Sequence, residues 1–86
     1  MVRIWAKVIK KDKIIKQCVF ERFESIDYSQ FSNYLMEICS MLDIATPVLI
    51  KTHIFNYAKY NQVKFVQDDF VESIDFDKLV LENALL

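Results

Sequence analysis

Three side chains in this chain of 86 residues have the chemistry of nucleophiles or soft metal ligands: Cys18, Cys39 and His53. A structural zinc takes four nitrogen or sulfur ligands, commonly with two cysteines closely spaced. Here the cysteines lie 21 positions apart, with one imidazole to join them. Thiol catalysis would need a cysteine against His53 as base. Both cysteines sit in apolar patterns, which disfavour a thiolate, and both read as small buried apolar residues. The densest carboxylate group is Asp68-Asp69-x-x-Glu72-x-x-Asp75-x-Asp77. It lacks the alternating ligands and the glycine of a calcium loop, and reads as a solvated edge. Ser25, Ser29, Ser32, Ser40 and Ser73 have no neighbouring base in the sequence. The chain contains no glycine, which excludes glycine-rich phosphate loops and dinucleotide-binding turns. The expectation is a protein that is not an enzyme, with no catalytic residues, no cofactor and no metal site.

Surfaces for contact are better represented. The segment Thr52-His53-Ile54-Phe55-Asn56-Tyr57-Ala58-Lys59-Tyr60-Asn61 packs three aromatics, two amides and a lysine into ten residues. If Ile54, Tyr57 and Ala58 face inward, Phe55, Lys59 and Tyr60 are left near solvent. Exposed aromatics beside adaptable polar groups are the composition of a protein-binding patch. The alternative is a nucleic-acid surface on the opening hairpin. There Arg3, Lys7 and Lys16 would contact phosphate while Trp5 stacks on a base.

These residues must be held by a small set of elements. Residues 2–10 alternate, with Val2, Ile4, Ala6 and Val8 on one parity and Arg3, Trp5, Lys7 and Ile9 on the other, which predicts a strand with one apolar face. A polar break at 10–13 without an Asn-Gly or Asp-Gly pair predicts a loop somewhat longer than two residues. Residues 14–23 predict a second strand with apolar residues on both faces, as for a central strand or a bulge that switches the parity midway. Asp27 as N-cap with Gln30 three residues on is a capping-box pattern, and Ile26 and Phe31 can form the hydrophobic staple. Phe31, Leu35, Ile38 and Leu42 then make one stripe, so the main helix is predicted over about residues 28–43. Residues 47–51 predict a short strand opening on Pro47. A short second helix capped by Thr52 follows, residues 63–66 are extended or loop, and 78–83 close as a strand.

The fold class expected is α+β over a single domain, residues 1–86. It has a mostly antiparallel sheet of about four strands in the order β-β-α-β-(α)-β, and one main helix packed on one face. Apolar residues at 53% are enough for such a core. The net charge of −1 gives no global attraction to nucleic acid or anionic membrane. It hides blocks of +4 over residues 1–24, −3 over 25–50, +3 over 51–64 and −5 over 65–86. Acidic C-terminal and basic N-terminal blocks can pair as neighbouring strands. No signal-peptide pattern and no long apolar run occur, so the expected setting is the cytoplasm, with reduced thiols and no membrane. The expected partner is another protein or a second copy of the chain, rather than nucleic acid.

The opening Arg3-Ile4-Trp5-Ala6-Lys7, Glu37-Ile38-Cys39, Pro47 before a short apolar run, and the closing Phe65-x-Gln67-Asp68-Asp69-Phe70-x-Glu72-x-Ile74-Asp75-Phe76-Asp77 together resemble a family of short bacterial proteins of gut-type Gram-positive organisms. That family carries no assigned function. The resemblance spans nearly the full chain and brings no catalytic motif. It implies a stand-alone intracellular bacterial domain in which Phe65, Phe70, Ile74 and Phe76 anchor the acidic segment to the core.

Overall fold

The opening alternation forms β1 (Val2–Lys10), which pairs antiparallel with β2 (Lys13–Arg22) in the computed structural model, which describes residues 1–85. The connection is shorter than the sequence suggests. Lys11 and Asp12, with φ of 52° and 63°, close it as a tight turn. Two successive left-handed residues match the right-handed twist of the flanking strands. Aspartate tolerates that conformation, and the Lys11 N–H is held by Asp77 Oδ2 at 2.8 Å.

Asp27 caps the next segment as expected, accepting from the N–H of Ser29 at 3.0 Å and from its hydroxyl at 2.6 Å. A 3-10 turn, Tyr28–Gln30, leads into α1 (Phe31–Leu42). The reciprocal half of the capping box does not form. The Gln30 side chain accepts from Asn33 Nδ2 instead, and the Asp27 N–H donates to the hydroxyl of Tyr34. The helix ends on Asp43 in the left-handed region, with φ of 54°, in the position where glycine is usual.

Of the predicted strand at 47–51, residues 47–50 are irregular chain and Lys51 opens a helix, with Pro47 buried and the Val48 N–H donating to the Asp69 carbonyl at 2.8 Å. The apolar run Val48-Leu49-Ile50 has no two-residue alternation to bind it to a sheet, and it leads directly into α2 (Lys51–Tyr60). The third strand comes later. In β3 (Gln62–Val66), Val63 and Phe65 are buried while Gln62, Lys64 and Val66 are exposed. After a 3-10 turn and an irregular stretch, β4 (Lys78–Asn83) completes the sheet.

The strand order is β2-β1-β4-β3, antiparallel throughout, so the last strand inserts between the first and third. The fold is α+β: an open four-stranded sheet with two helices, of which α1 is the larger. Ile4, Ala6, Val8, Phe20, Val63, Phe65, Leu79 and Leu81 from the sheet form one core with Phe31, Leu35, Ile38, Cys39 and Leu42 of α1 and Tyr57 of α2. Phe70 and Phe76 meet edge to face, 5.5 Å between ring centres, and join the same core, with Ile74 half-buried against it. Phe70 and Phe76 thus fasten the acidic segment to the core. Among the described residues, no helix lies over the opposite face of the sheet, which carries Arg3, Trp5, Lys7 and Ile9 of β1.

Candidate functional site

The second helix carries the clearest contact surface. Its start is fixed by His53 rather than by Thr52: Nδ1 accepts from the Ile50 N–H at 3.1 Å, and the His53 N–H donates to the Ile50 carbonyl at 3.1 Å. The imidazole is buried against Phe65, with ring centres 4.5 Å apart, and Nε2 lies 3.6 Å from Asp69 Oδ2. The helix ends on Asn61, in the left-handed region at φ 58°. The Asn61 carbonyl accepts from the Asn83 N–H at 2.8 Å, and its side chain accepts from Asn83 Nδ2 at 3.2 Å. Both ends of α2 are therefore pinned, and the face it presents outward is fixed.

That outer face brings together Phe55, Lys59 and Tyr60. Phe55 is 59% exposed and Tyr60 62%. Lys59 Nζ stands 5.6 Å from the Phe55 ring centre and 5.3 Å from that of Tyr60. An ammonium at such distances is drawn to the negative ring faces. Tyr57 points inward and is buried, Ile54 is half-buried, and Ala58 is exposed. Beside Tyr60 lies a cleft of about 280 Å³ lined by Asn56, Tyr60, Gln62, Val63 and Lys64. The patch therefore runs from α2 onto the outer strand β3, which no residue-by-residue reading of α2 would reveal.

The hairpin surface is arranged differently from expectation. Arg3, Trp5 and Lys7 share the uncovered sheet face, but Lys16 does not join them. A bulge between Val8 and Ile9 sets the register so that Lys16 pairs with Val8 on the helix side. Its Nζ donates to the carbonyls of Leu42 at 3.0 Å and Asp43 at 3.5 Å. Arg3 pairs with Glu21 at 3.0 Å, and Lys7 with Glu82 at 3.7 Å. The Lys7 ammonium also sits 4.0 Å from the Trp5 ring centre, while the indole N–H donates to Gln17 Oε1 at 3.0 Å. Trp5 is half-buried under these neighbours. Carboxylates answer two of the cations, which works against a phosphate-binding role. The Lys7–Glu82 pair is the expected meeting of basic hairpin and acidic C-terminal block, and Asp77 reaches the hairpin through the Lys11 backbone N–H rather than its ammonium.

The thiols stand apart from the imidazole. Both are free. Cys39 is buried and its thiol is pushed up to about 11 by burial, with a hydrogen bond to Thr46 opposing and the nearby Cys18 adding to the shift. Burial raises Cys18 as well. Such thiols are poor nucleophiles at neutral pH. Among the described residues, no three His, Cys, Asp or Glu side chains are grouped to hold a metal. A cleft of about 530 Å³ lies between the β2 bulge, the end of α1 and residues 72–76. Val8, Ile44, Ala45, Ile74 and Phe76 contribute its apolar wall, and Lys16, Asp43, Glu72 and Asp75 its charged residues. All four charged residues are exposed, and Lys16 is already engaged by helix carbonyls. Among the described residues, no helix is long and apolar enough to cross a membrane.

No family model, no curated protein and no solved structure matches this chain.

Proposed function

We propose that this chain is a non-enzymatic interaction domain that receives an acidic segment of a partner protein on the surface formed by Phe55, Lys59 and Tyr60. One observation carries the reading: a lysine ammonium stands between two exposed rings, beside a cleft at the outer strand. Residues 51–64 hold Lys51, Lys59 and Lys64 and no carboxylate, and Glu82, which lies across the sheet from Gln62, is paired with Lys7. Rigid rings offer contact area at low entropic cost, the ammonium groups attract carboxylates and steer their approach, and the cleft beside Tyr60 takes one side chain. A cytoplasmic setting is supported by the two free thiols.

Selection of a random peptide library on the immobilised protein tests this. The expected outcome is enrichment of acidic sequences that bind at least about tenfold more weakly to Lys59→Glu and to the Phe55→Ala, Tyr60→Ala double variant, with unchanged circular dichroism. Peptides that bind Lys59→Glu as well as the parent overturn the assignment. Salt-dependent retention of RNA or single-stranded DNA that is lost in Trp5→Ala would move the binding surface to the open sheet face.

A further inference from the structure

His53 is a buried titratable side chain whose two ring nitrogens have different neighbours. Nδ1 accepts from the Ile50 N–H at 3.1 Å, and Nε2 lies 3.6 Å from Asp69 Oδ2. A ring nitrogen that accepts carries no proton, so the neutral imidazole holds its proton on Nε2, turned toward Asp69. At 3.6 Å that approach is longer than a hydrogen bond. Asp69 is itself held in place. Its Oδ2 accepts from the Val66 N–H at 2.8 Å, and its carbonyl accepts from the Val48 N–H at 2.8 Å.

A second proton on this ring goes to Nδ1, and it changes both contacts. Nδ1–H then opposes the Ile50 N–H, donor against donor, and that bond is lost. The ring also gains a positive charge in the first turn of α2, at the positive end of the helix dipole, where a cation is disfavoured. Asp69 offers the opposite: a carboxylate within ion-pair distance, with lone pairs beyond the one that Val66 uses.

The other charged groups of the surrounding elements do not compete for the ring. Lys51 and Lys59 of α2 and Asp68 beside Asp69 are exposed. Lys64 of β3 and Lys78 of β4 lie on the sheet face away from Phe65 and Leu79. Tyr57, one turn along α2, is buried and keeps its phenol proton.

We propose that His53 is an acid-operated latch on the start of α2. Neutral, the imidazole holds the Ile50 N–H; protonated, it releases Ile50 and closes on Asp69. The N-cap residue, Ile50, has no polar side chain to take over, so the first turn of α2 loosens. The far end stays pinned through Asn61 and Asn83. The consequence for binding rests on the reading of Phe55, Lys59 and Tyr60 as the contact surface. Phe55 stands next to the loosened turn and Tyr60 beside the pinned end, so acid frees one ring of the pair and leaves the other.

Nuclear magnetic resonance of the free protein, titrated between about pH 8 and pH 5, tests the latch. Because no partner is present, its outcomes are separate from those of the peptide selection. The His53 ring signals and the Ile50 amide signal are expected to move with one common midpoint. The Val66 amide, bonded to the Asp69 oxygen that the ring approaches, should move with them. Protection of the Ile50 amide from solvent exchange should fall about tenfold, the loss of one hydrogen bond, while the Asn83 amide keeps its protection. In His53→Asn, which keeps an acceptor and cannot titrate, the Ile50 amide should be level over the same range. Ring signals that titrate while the Ile50 amide stays still overturn the proposal. So does a still Val66 amide, which would mean that the ring never reaches Asp69, and so does a ring that takes up no proton before the chain unfolds.

Discussion

Lys16 Nζ on β2 donates to the Leu42 carbonyl at the C-terminal end of α1, at 3.0 Å. The last turn of α1 has no basic residue of its own, so a strand lysine supplies the cation that the negative end of the helix dipole favours. Lys16→Met keeps the aliphatic stem and removes the donor. It is expected to lower stability by about 1 kcal/mol, read as a lower urea midpoint with an unchanged slope. An unchanged midpoint would mean that the carbonyls are equally well served by water.

A glycine-free chain must place other residues where the backbone turns left-handed. Lys11, Asp12, Asp43 and Asn61 do so, and lysine is the least suited of the four because it has no short polar side chain to bond locally. Lys11→Gly should therefore stabilise the protein by about 1 kcal/mol, or roughly 5 °C in Tm for a domain of this size. The Lys11 N–H contact with Asp77 survives the change. Asn61→Gly is expected to show no such gain, because it deletes the hydrogen bond to Asn83. Differential scanning calorimetry of the two variants makes the comparison, and equal shifts would refute it.

His53 combines two roles, taking the Ile50 N–H on Nδ1 and packing on Phe65. His53→Ala loses both and leaves a cavity, with an expected cost of about 2–3 kcal/mol. His53→Asn keeps an acceptor near the helix start but no ring, so it should fall between the alanine variant and the parent. Denaturant titration that ranks asparagine below alanine would show that the acceptor contributes nothing.

The alternation Val2-Ile4-Ala6-Val8 and the stripe Phe31-Leu35-Ile38-Leu42 are legible because each pattern has a single period and each residue named is buried. These patterns were enough to give the sheet and the main helix. Residues 47–51 read locally as a strand because Val48-Leu49-Ile50 is an apolar run, but the run has no period, and in the connection it forms Val48 and Ile50 are about half exposed. The apolar residues on both parities of 14–23 signal a central strand or a bulge without saying where the switch falls, so the helix-side position of Lys16 is not legible until the register is known. Exposure of Phe55, Lys59 and Tyr60 followed from helical spacing. Their junction with Gln62, Val63 and Lys64 did not, since it depends on how α2 lies against β3. The 530 Å³ cleft joins residues from four separate stretches and is not legible in the sequence for the same reason.

Two buried acids make the protein sensitive to alkali. Burial, with Tyr28 nearby, raises Tyr57 from 10 to about 12, and burial raises Cys39 from 9 to about 11. In each case the folded state keeps its proton where the unfolded state has released it. The folded chain then binds more protons than the unfolded chain, so stability falls as pH rises. Both contributions are whole below pH 9. The thiol's share is lost between about 9 and 11, and the phenol's between about 10 and 12. Each shift corresponds to about 2–3 kcal/mol at most, and the two together approach the lower end of a small domain's total stability. Cooperative unfolding is therefore expected within this window, without any change in denaturant. In Tyr57→Phe the upper part of the loss should disappear, and the slope of stability against pH between 10 and 12 should flatten. Cys39 should resist thiol reagents at pH 8 until denaturant is added. A parent protein whose stability is level from pH 8 to 12 would show that neither group is shielded as the packing implies.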